Sequence, residues 1–127
     1  FDKVSIYANF EPMRSIQFYQ TSSGNCPVRA FLDELESKQA RKVTWVLQLI
    51  KEHPRPSSKF FKKLVGTELW EVRADIGGNA FRLIGFMDGH QLVILTSGFT
   101  KKTQKTPKQE IETALERRKD YFNRKKG

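Results

Sequence analysis

The chain has 127 residues and a mass of 14.8 kDa, which suits one domain with one core. Hydrophobic residues make up 38% and charged residues 29%, and this composition excludes an intrinsically disordered chain. The 23 Lys and Arg exceed the 14 Asp and Glu by a net charge of +9, which favours a polyanionic partner such as nucleic acid, an acidic protein or an anionic membrane surface.

The cysteine and histidine content excludes two further classes of protein. Cys26 has no second cysteine for an intramolecular disulfide, and with His53 and His90 it does not have zinc-ligand spacing. These counts exclude a disulfide scaffold and a zinc finger. We also predict no metal and no cofactor. The apolar runs are short, and Asp2 and Lys3 stand where a signal peptide would be apolar. These features predict a cytoplasmic protein without a membrane segment.

The N-terminal part of the chain is predicted to contain one strand and two helices. Residues 1–14 are interpreted as an extension, native or added by cloning, because Met13 can serve as a start, and residues 15–127 are interpreted as the domain. Residues 15–20 resemble a short strand. Helical spacing then predicts a first helix from Pro27 and a second over 39–52 that Pro54 ends, and the two are expected to form a hairpin.

The rest of the chain is predicted to form a meander and a last helix. Strands are expected over 68–75, 80–87 and 91–98, because Gly77-Gly78 and Asp88-Gly89 are typical of tight hairpin turns. A helix over 108–125 follows. The order β-α-α-β-β-β-α predicts an α+β domain with an antiparallel sheet, an N-terminal helical hairpin and a C-terminal helix. Trp45 and Trp70 lie on apolar stripes and are predicted to be core residues.

A pair of arginines is the first sign of a binding site. If the first hairpin is symmetric about its two glycines, Arg73 lies directly opposite Arg82. Like charges in that position are destabilising unless an anion lies between them. Two readings follow: this face of the sheet binds an anion, or the two guanidinium groups extend into water or pair with Glu71 and Asp75.

Further basic residues are concentrated toward the C-terminus. Residues 99–127 contain 10 basic and 4 acidic side chains, so the basic surface is predicted to be mainly C-terminal. The loop after the third meander strand can hold phosphates through its ammonium and hydroxyl groups, although a solvated basic loop has the same sequence. Basic residues of the last helix would attract a polyanion in a salt-dependent way, and Tyr121 is the aromatic residue expected to reach the site.

Four segments of the sequence resemble a known family. They are Leu69-Trp70-Glu71-Val72-Arg73, Phe81-Arg82-Leu83-Ile84, the run from Gly98 to Pro107, and the helix from Glu110 to Tyr121. Together they resemble HigB-type toxins of the phage Gp49-like branch of the RelE/ParE superfamily. The likeness covers residues 15–124, and its most specific part is Phe-Thr-Lys-Lys-Thr-Gln-Lys-Thr-Pro.

The resemblance implies both a fold and a function. It implies a single RelE-like domain that acts as the toxin of a type II toxin-antitoxin system. The expected activity is that of a ribosome-dependent mRNA endoribonuclease, which inhibits translation without a metal. The expected partners are the ribosome, messenger RNA and a helix-turn-helix antitoxin of the HigA type, whose complex with the toxin would bind operator DNA.

The resemblance also implies roles for individual residues. Arg82 matches the strand arginine that contacts the scissile phosphate, and Arg73 matches a second basic position. Lys101 and Lys102 match the basic residues after the last strand, and a lysine is a better proton donor or acceptor than an arginine. The general base is not assigned, because Glu71 stands where the RelE branch has a basic residue. The residues expected to bind RNA are Lys62, Lys63, Lys105, Arg117, Arg118 and Tyr121.

Two other functions are compatible with the same sequence. One is a non-catalytic inhibitor of DNA gyrase, as in ParE relatives, and the other is a basic RNA-binding module without activity. The presence of Arg73, Arg82 and the Lys101-Lys102 pair favours the nuclease.

Overall fold

The computed structural model describes residues 13–127, so nearly all of the predicted extension lies outside the described residues. Its elements, in chain order, are β1 (Ser15–Phe18), α1 (Pro27–Asp33), α2 (Ser37–Glu52), β2 (Phe61–Lys63), β3 (Leu69–Ile76), β4 (Asn79–Asp88), β5 (Leu92–Lys101) and α3 (Lys108–Lys126). The α+β class is confirmed. The predicted order omits one strand, β2.

Strand β2 is too short to be predicted from the sequence pattern. It has three residues, of which Phe61 is buried while Lys62 and Lys63 are exposed. Three residues are too few to show a two-residue period. The strand exists because it pairs antiparallel with β3, where Phe61 lies opposite Val72. No local pattern in the sequence predicts such a pairing.

The sheet has five strands in the order β1-β5-β4-β3-β2. It is antiparallel except at one edge, where β1 runs parallel to β5, so the prediction of a wholly antiparallel sheet is corrected there. Between β3 and β4 the register is the one expected from symmetry about the glycines. Gly77 and Gly78 have φ values of 57° and 81°, the left-handed conformation that a two-residue hairpin turn requires.

Helices cover both faces of the sheet. Helices α1 and α2 lie on one face, and they are held mainly by β5 and β3 respectively rather than by one another. Buried Val28 of α1 and Ile50 of α2 belong to the core on this side. Helix α3 lies on the opposite face, where Ala114 packs over Ile84 and Phe86. None of the helices within residues 13–127 is long and apolar enough to cross a membrane.

The two tryptophans differ in their burial. Trp70 is partly buried and stacks on Phe61, with 4.7 Å between ring centroids. Trp45 is 50% exposed, so the prediction that it is a core residue is wrong. The buried stripe of α2 is Val43, Val46, Leu47 and Ile50, and Trp45 lies two positions after Val43, a turn of about 200° on a helix that turns by about 100° per residue. The indole therefore lies outside the buried stripe.

Candidate active site

The two arginines face each other across the strands as predicted. Arg73 on β3 is the direct register partner of Arg82 on β4. Side chains alternate between faces along a strand, so both lie on the face that α3 covers. The side chain of Arg82 is only 5% exposed, whereas that of Arg73 is 30% exposed. Two cations are thus held side by side, one of them inside the protein.

A buried glutamate makes this arrangement possible. Glu71 is 3% exposed, and its Oε1 lies 3.6 Å from Nε of Arg82 and 3.7 Å from Nε of Arg73. Its other oxygen, Oε2, accepts a hydrogen bond of 2.6 Å from Oγ1 of Thr106. One carboxylate therefore compensates two guanidinium groups and is itself fixed by the loop that precedes α3. A buried cation pair without such a counter-charge would be strongly destabilising.

A second carboxylate contacts Arg82 from the solvent side. Nη1 of Arg82 donates a hydrogen bond of 2.6 Å to Oδ1 of Asp75 and one of 2.9 Å to the carbonyl of Phe81. The side chain of Asp75 is 68% exposed. The reading in which the arginines pair with Glu71 and Asp75 is therefore confirmed. Because Asp75 is largely in water, another anion can replace it at little cost.

Both arginines keep an unused donor. Nε of Arg73 and Nε of Arg82 are buried and have no hydrogen-bond partner in the described structure. A buried donor without a partner costs about 1–3 kcal/mol, so such groups are rare and are often found where a ligand binds. Arg73 uses Nη1 for a long hydrogen bond of 3.4 Å to the carbonyl of Ser58. Both Nε atoms face Oε1 of Glu71 beyond hydrogen-bond distance, so an anion would contact the pair through the Nη groups, where Asp75 already binds Arg82.

A cleft of about 650 Å³ lies beside this pair, and it brings together all four residues predicted to be catalytic. Its lining includes Arg73, Arg82, Lys101 and Lys102. The prediction that Lys101 lies in the loop is wrong. Lys101 is the last residue of β5, where it pairs with Ala80. Continued pairing with β4 extends β5 three residues beyond its predicted end, which fixes the backbone of Lys101. Lys102 is exposed at the start of the loop.

The six residues expected to bind RNA fall into two groups. Lys62, Lys63 and Lys105 are exposed. The other three attach α3 to the sheet: Arg117 donates to the carbonyl of Thr96 at 2.8 Å and to Oγ of Ser97 at 3.0 Å. Arg118 lies 5.9 Å from the centre of the ring of Phe86 on β4, and Tyr121 donates to Oδ2 of Asp88 at 2.7 Å. None of the six lines the cleft.

Thr106 is the part of the site that the sequence did not reveal. It lies 35 positions from Glu71, to which it donates its hydrogen bond. The loop sequence contains three threonines, and nothing in it distinguishes the one that reaches a buried carboxylate.

Within residues 13–127, no three His, Cys, Asp or Glu side chains meet in a group that could hold a metal ion.

Comparison with known proteins gives one family and two similar relatives. The model of a family described as phage-derived protein Gp49-like (DUF891) matches residues 30–119, a range that contains the whole cleft. Two curated proteins from two strains of Mycobacterium tuberculosis, both described as probable endoribonuclease HigB1, are 44% identical over 57 residues. That alignment covers 45% of this chain and 45% of each relative, so it spans just under half the length of the curated relatives.

Proposed function

The chain belongs to the family of phage-derived Gp49-like proteins, and from its cleft we propose that it is the endoribonuclease toxin of a toxin-antitoxin system. The substrate that we propose is messenger RNA on the ribosome. The observation that carries this proposal is the convergence of two arginines and two lysines on one cleft, where Arg82 is paired on the solvent side with the largely exposed Asp75. The printed description of the two HigB1 relatives supports it.

The reaction that such a cleft suits is internal attack on an RNA phosphate. The 2′-oxygen forms a bond to the adjacent phosphorus, and the bond from phosphorus to the 5′-oxygen breaks. One proton leaves the 2′-hydroxyl and one is added to the departing 5′-oxygen, so the products carry a 2′,3′-cyclic phosphate and a 5′-hydroxyl. The transition state has extra negative charge on the phosphoryl oxygens, and fixed cations stabilise it.

Arg82 is the residue that we assign to the scissile phosphate. Its guanidinium group is fixed by burial and by Glu71, and only exposed Asp75 has to move away for a phosphate to bind. A planar guanidinium binds two phosphate oxygens at once, and it holds its position without reorganisation during the reaction. Arg73 is more exposed and supplies a second positive charge.

The lysines are assigned to proton transfer. A guanidinium group keeps its proton at any pH of interest, so the groups of the cleft able to exchange one are Lys101 and Lys102. Lys101 is held at the end of β5 and suits protonation of the leaving oxygen. Glu71 serves as a positioning residue, since both of its oxygens are engaged by groups of the protein.

The partners follow from the same proposal. A ribosome-dependent toxin acts in the cytoplasm, and the net charge of +9 suits contact with ribosomal and messenger RNA. We propose that a helix-turn-helix antitoxin with acidic contacts silences it, and that their complex binds operator DNA.

The test is to map messenger RNA 5′ ends in cells that produce the wild type or Arg82→Ala, with ribosome engagement blocked in a parallel sample. Arg29→Ala is the matched control, because Arg29 is an exposed arginine of α1 away from the cleft. We expect new ends with the wild type and the control only, and none when ribosomes are blocked. Growth arrest without new ends would instead support the gyrase inhibitor.

Arg82→Lys separates loss of catalysis from loss of folding. It keeps the positive charge beside Glu71 but loses the planar fork. We expect a folded protein with the circular dichroism of the wild type and a loss of cleavage of about 100-fold or more, similar to removal of one preorganised donor in other enzymes. Full activity of this variant would overturn the assignment of Arg82.

A further inference from the structure

A second segment with a large excess of positive charge covers α2 and β2. Between Glu36 and Glu68 the sequence has eight Lys or Arg and one acidic residue, Glu52, a net charge of +7. This exceeds the net charge of +6 in residues 99–127, so the prediction of a mainly C-terminal basic surface is incomplete. The segment is also distant in sequence from the lysines of the cleft.

Two aromatic rings, exposed Trp45 and partly buried Phe60, lie within this basic segment. Trp45 is 50% exposed, and the ring of Phe60 meets it edge to face, with 5.5 Å between centroids and 81° between planes. Nζ of Lys42 lies 4.7 Å from the centre of the indole, and Nζ of Lys59 lies 5.7 Å from the centre of the phenyl ring. We call these four residues the Trp45 patch. It combines a flat apolar surface with ammonium groups, a combination that suits a nucleotide.

The Trp45 patch adjoins the cleft through Arg73. The backbone N–H of Arg73 donates to the carbonyl of Phe60 at 2.8 Å, and its guanidinium group donates to the carbonyl of Ser58 at 3.4 Å. Lys59 lies between these two carbonyls in the chain. Helix α2 lies on the face of the sheet opposite to the side chains of Arg73 and Arg82, so an RNA strand with a phosphate at Arg82 would reach the Trp45 patch around the β2 edge of the sheet.

We propose that the Trp45 patch binds the RNA substrate strand by stacking one unpaired base on Trp45, with Lys42 and Lys59 at the flanking phosphates. This inference rests on the proposed function and adds a second binding site to it. Stacking on an aromatic ring suits any base, because every base has a flat π face, whereas it requires that the base is not already stacked in a duplex. Single-stranded RNA is thus the ligand that uses both the rings and the charges.

The test measures binding of a fully 2′-O-methylated RNA strand, which has no free 2′-hydroxyl and so is not cut, and of the duplex of the same sequence. Trp45→Ala is expected to weaken single-strand binding by about tenfold and to leave duplex binding unchanged. Trp45→Phe keeps a ring and should lose much less. Leu115→Ala is the matched control, since Leu115 is an exposed apolar residue of α3, 40% exposed.

Fluorescence provides an independent readout, because the chain has two tryptophans. Single-stranded RNA should quench the emission of Trp70→Phe, in which Trp45 remains, and should not quench that of Trp45→Phe. Quenching that persists in Trp45→Phe would overturn the inference. An equal loss of single-strand and duplex affinity in Trp45→Ala would also overturn it, since the patch would then act through charge alone.

The inference and the proposed function fail in different ways. If the wild type cuts messenger RNA but Trp45→Ala binds the single strand normally, the stacking site is wrong and the nuclease stands. If Trp45→Ala loses only the binding of an acidic protein partner, the patch is a protein interface and the inference is overturned. If stacking is observed but no cut ends appear in cells, the binding site stands and the nuclease does not.

Discussion

The guanidinium group of Arg82 is buried, but the carboxylate that lies 2.6 Å from its Nη1 belongs to Asp75, whose side chain is 68% exposed. The two ends of this ion pair therefore differ in mobility. Arg82 is also held by Glu71, which is 3% exposed, whereas the side chain of Asp75 makes no other hydrogen bond or ion pair within the described residues. Under the proposed function, Asp75 occupies the position that a phosphate oxygen would take.

Removal of this competing charge should strengthen RNA binding. Asp75→Asn is expected to lower the dissociation constant of the 2′-O-methylated strand about three- to fivefold, because an exposed ion pair contributes at most about 1 kcal/mol that the ligand must overcome. Binding is measured by fluorescence anisotropy. Asp33→Asn, an exposed position on α1, is the control and should bind as the wild type does. Weaker binding by Asp75→Asn would mean that Asp75 supports the ligand rather than competing with it.

Glu71 should contribute more to stability than any other acidic residue of the site. Glu71→Ala leaves two arginines without their buried counter-charge, and the expected cost is about 3–5 kcal/mol of unfolding free energy. Thr106→Val keeps the shape of the side chain but removes the hydrogen bond, and should cost about 1 kcal/mol. Urea denaturation measures both.

The comparison between these variants decides what Glu71 does. If Glu71→Ala is no less stable than Thr106→Val, the carboxylate is not needed to hold the arginine pair together. Cleavage by Thr106→Val reports separately whether the loop must be attached for activity.

The attachment of α3 should depend on pH above the neutral range. Burial, together with the hydrogen bond to Asp88, raises the pKa of Tyr121 from 10.0 to about 12. A pKa that is higher in the folded than in the unfolded protein stabilises the fold fully below pH 10, and this stability is lost as the pH rises from 10 to about 12. Tyr121→Phe should therefore flatten the dependence of melting temperature on pH in this range. A slope equal to that of the wild type would show that Tyr121 does not titrate with folding.

The same contact also acts at low pH, with the opposite sign. Hydrogen bonds from Lys125 and Tyr121 lower the pKa of Asp88 below its ordinary value of 3.8. Its contribution to stability is present above that value and is lost as the pH falls through the lowered pKa. Asp88→Asn should remove this acid-range loss, which thermal melts in acidic buffers would detect.

Gly98 should not tolerate a side chain. A methyl group there would overlap the ring of Phe31 on α1 and lie 2.8 Å from Cδ2 of Leu83. Overpacking of this kind costs about 1–3 kcal/mol, so Gly98→Ala should be less stable by that amount. Gly127→Ala, at the C-terminal end where nothing crowds the added carbon, is the control and should unfold at the same urea concentration as the wild type.

The sequence predicted those parts of the fold that depend on neighbouring residues. Gly77 and Gly78 allow a two-residue turn, which fixes the β3–β4 register, and from that register alone Arg73 and Arg82 were correctly placed opposite each other. The long helices α2 and α3 were predicted from their spacing of apolar residues. In each case the residues that determine the local structure lie within a few positions of it in the sequence.

The sequence did not predict the features that join distant segments. The parallel pairing of β1 with β5 and the short edge strand β2 have no local pattern, because strand partners are chosen by the whole sheet. The hydrogen bond from Thr106 to Glu71 is of the same kind. The exposure of Trp45, by contrast, follows from the spacing of the buried stripe of α2, which leaves position 45 outside it.

The hydrogen bond between Glu71 and Thr106 joins two segments that are translated at different times. Proteins are made from the N-terminus, and distant contacts form only after both partners have been translated. Arg82, Lys101 and Thr106 are all in the last half of the chain, and β1 waits for β5 before it can pair. An incomplete chain on its own ribosome therefore lacks the cleft. Under the proposed function, this delay protects the messenger RNA that encodes the toxin until Thr106 has been translated.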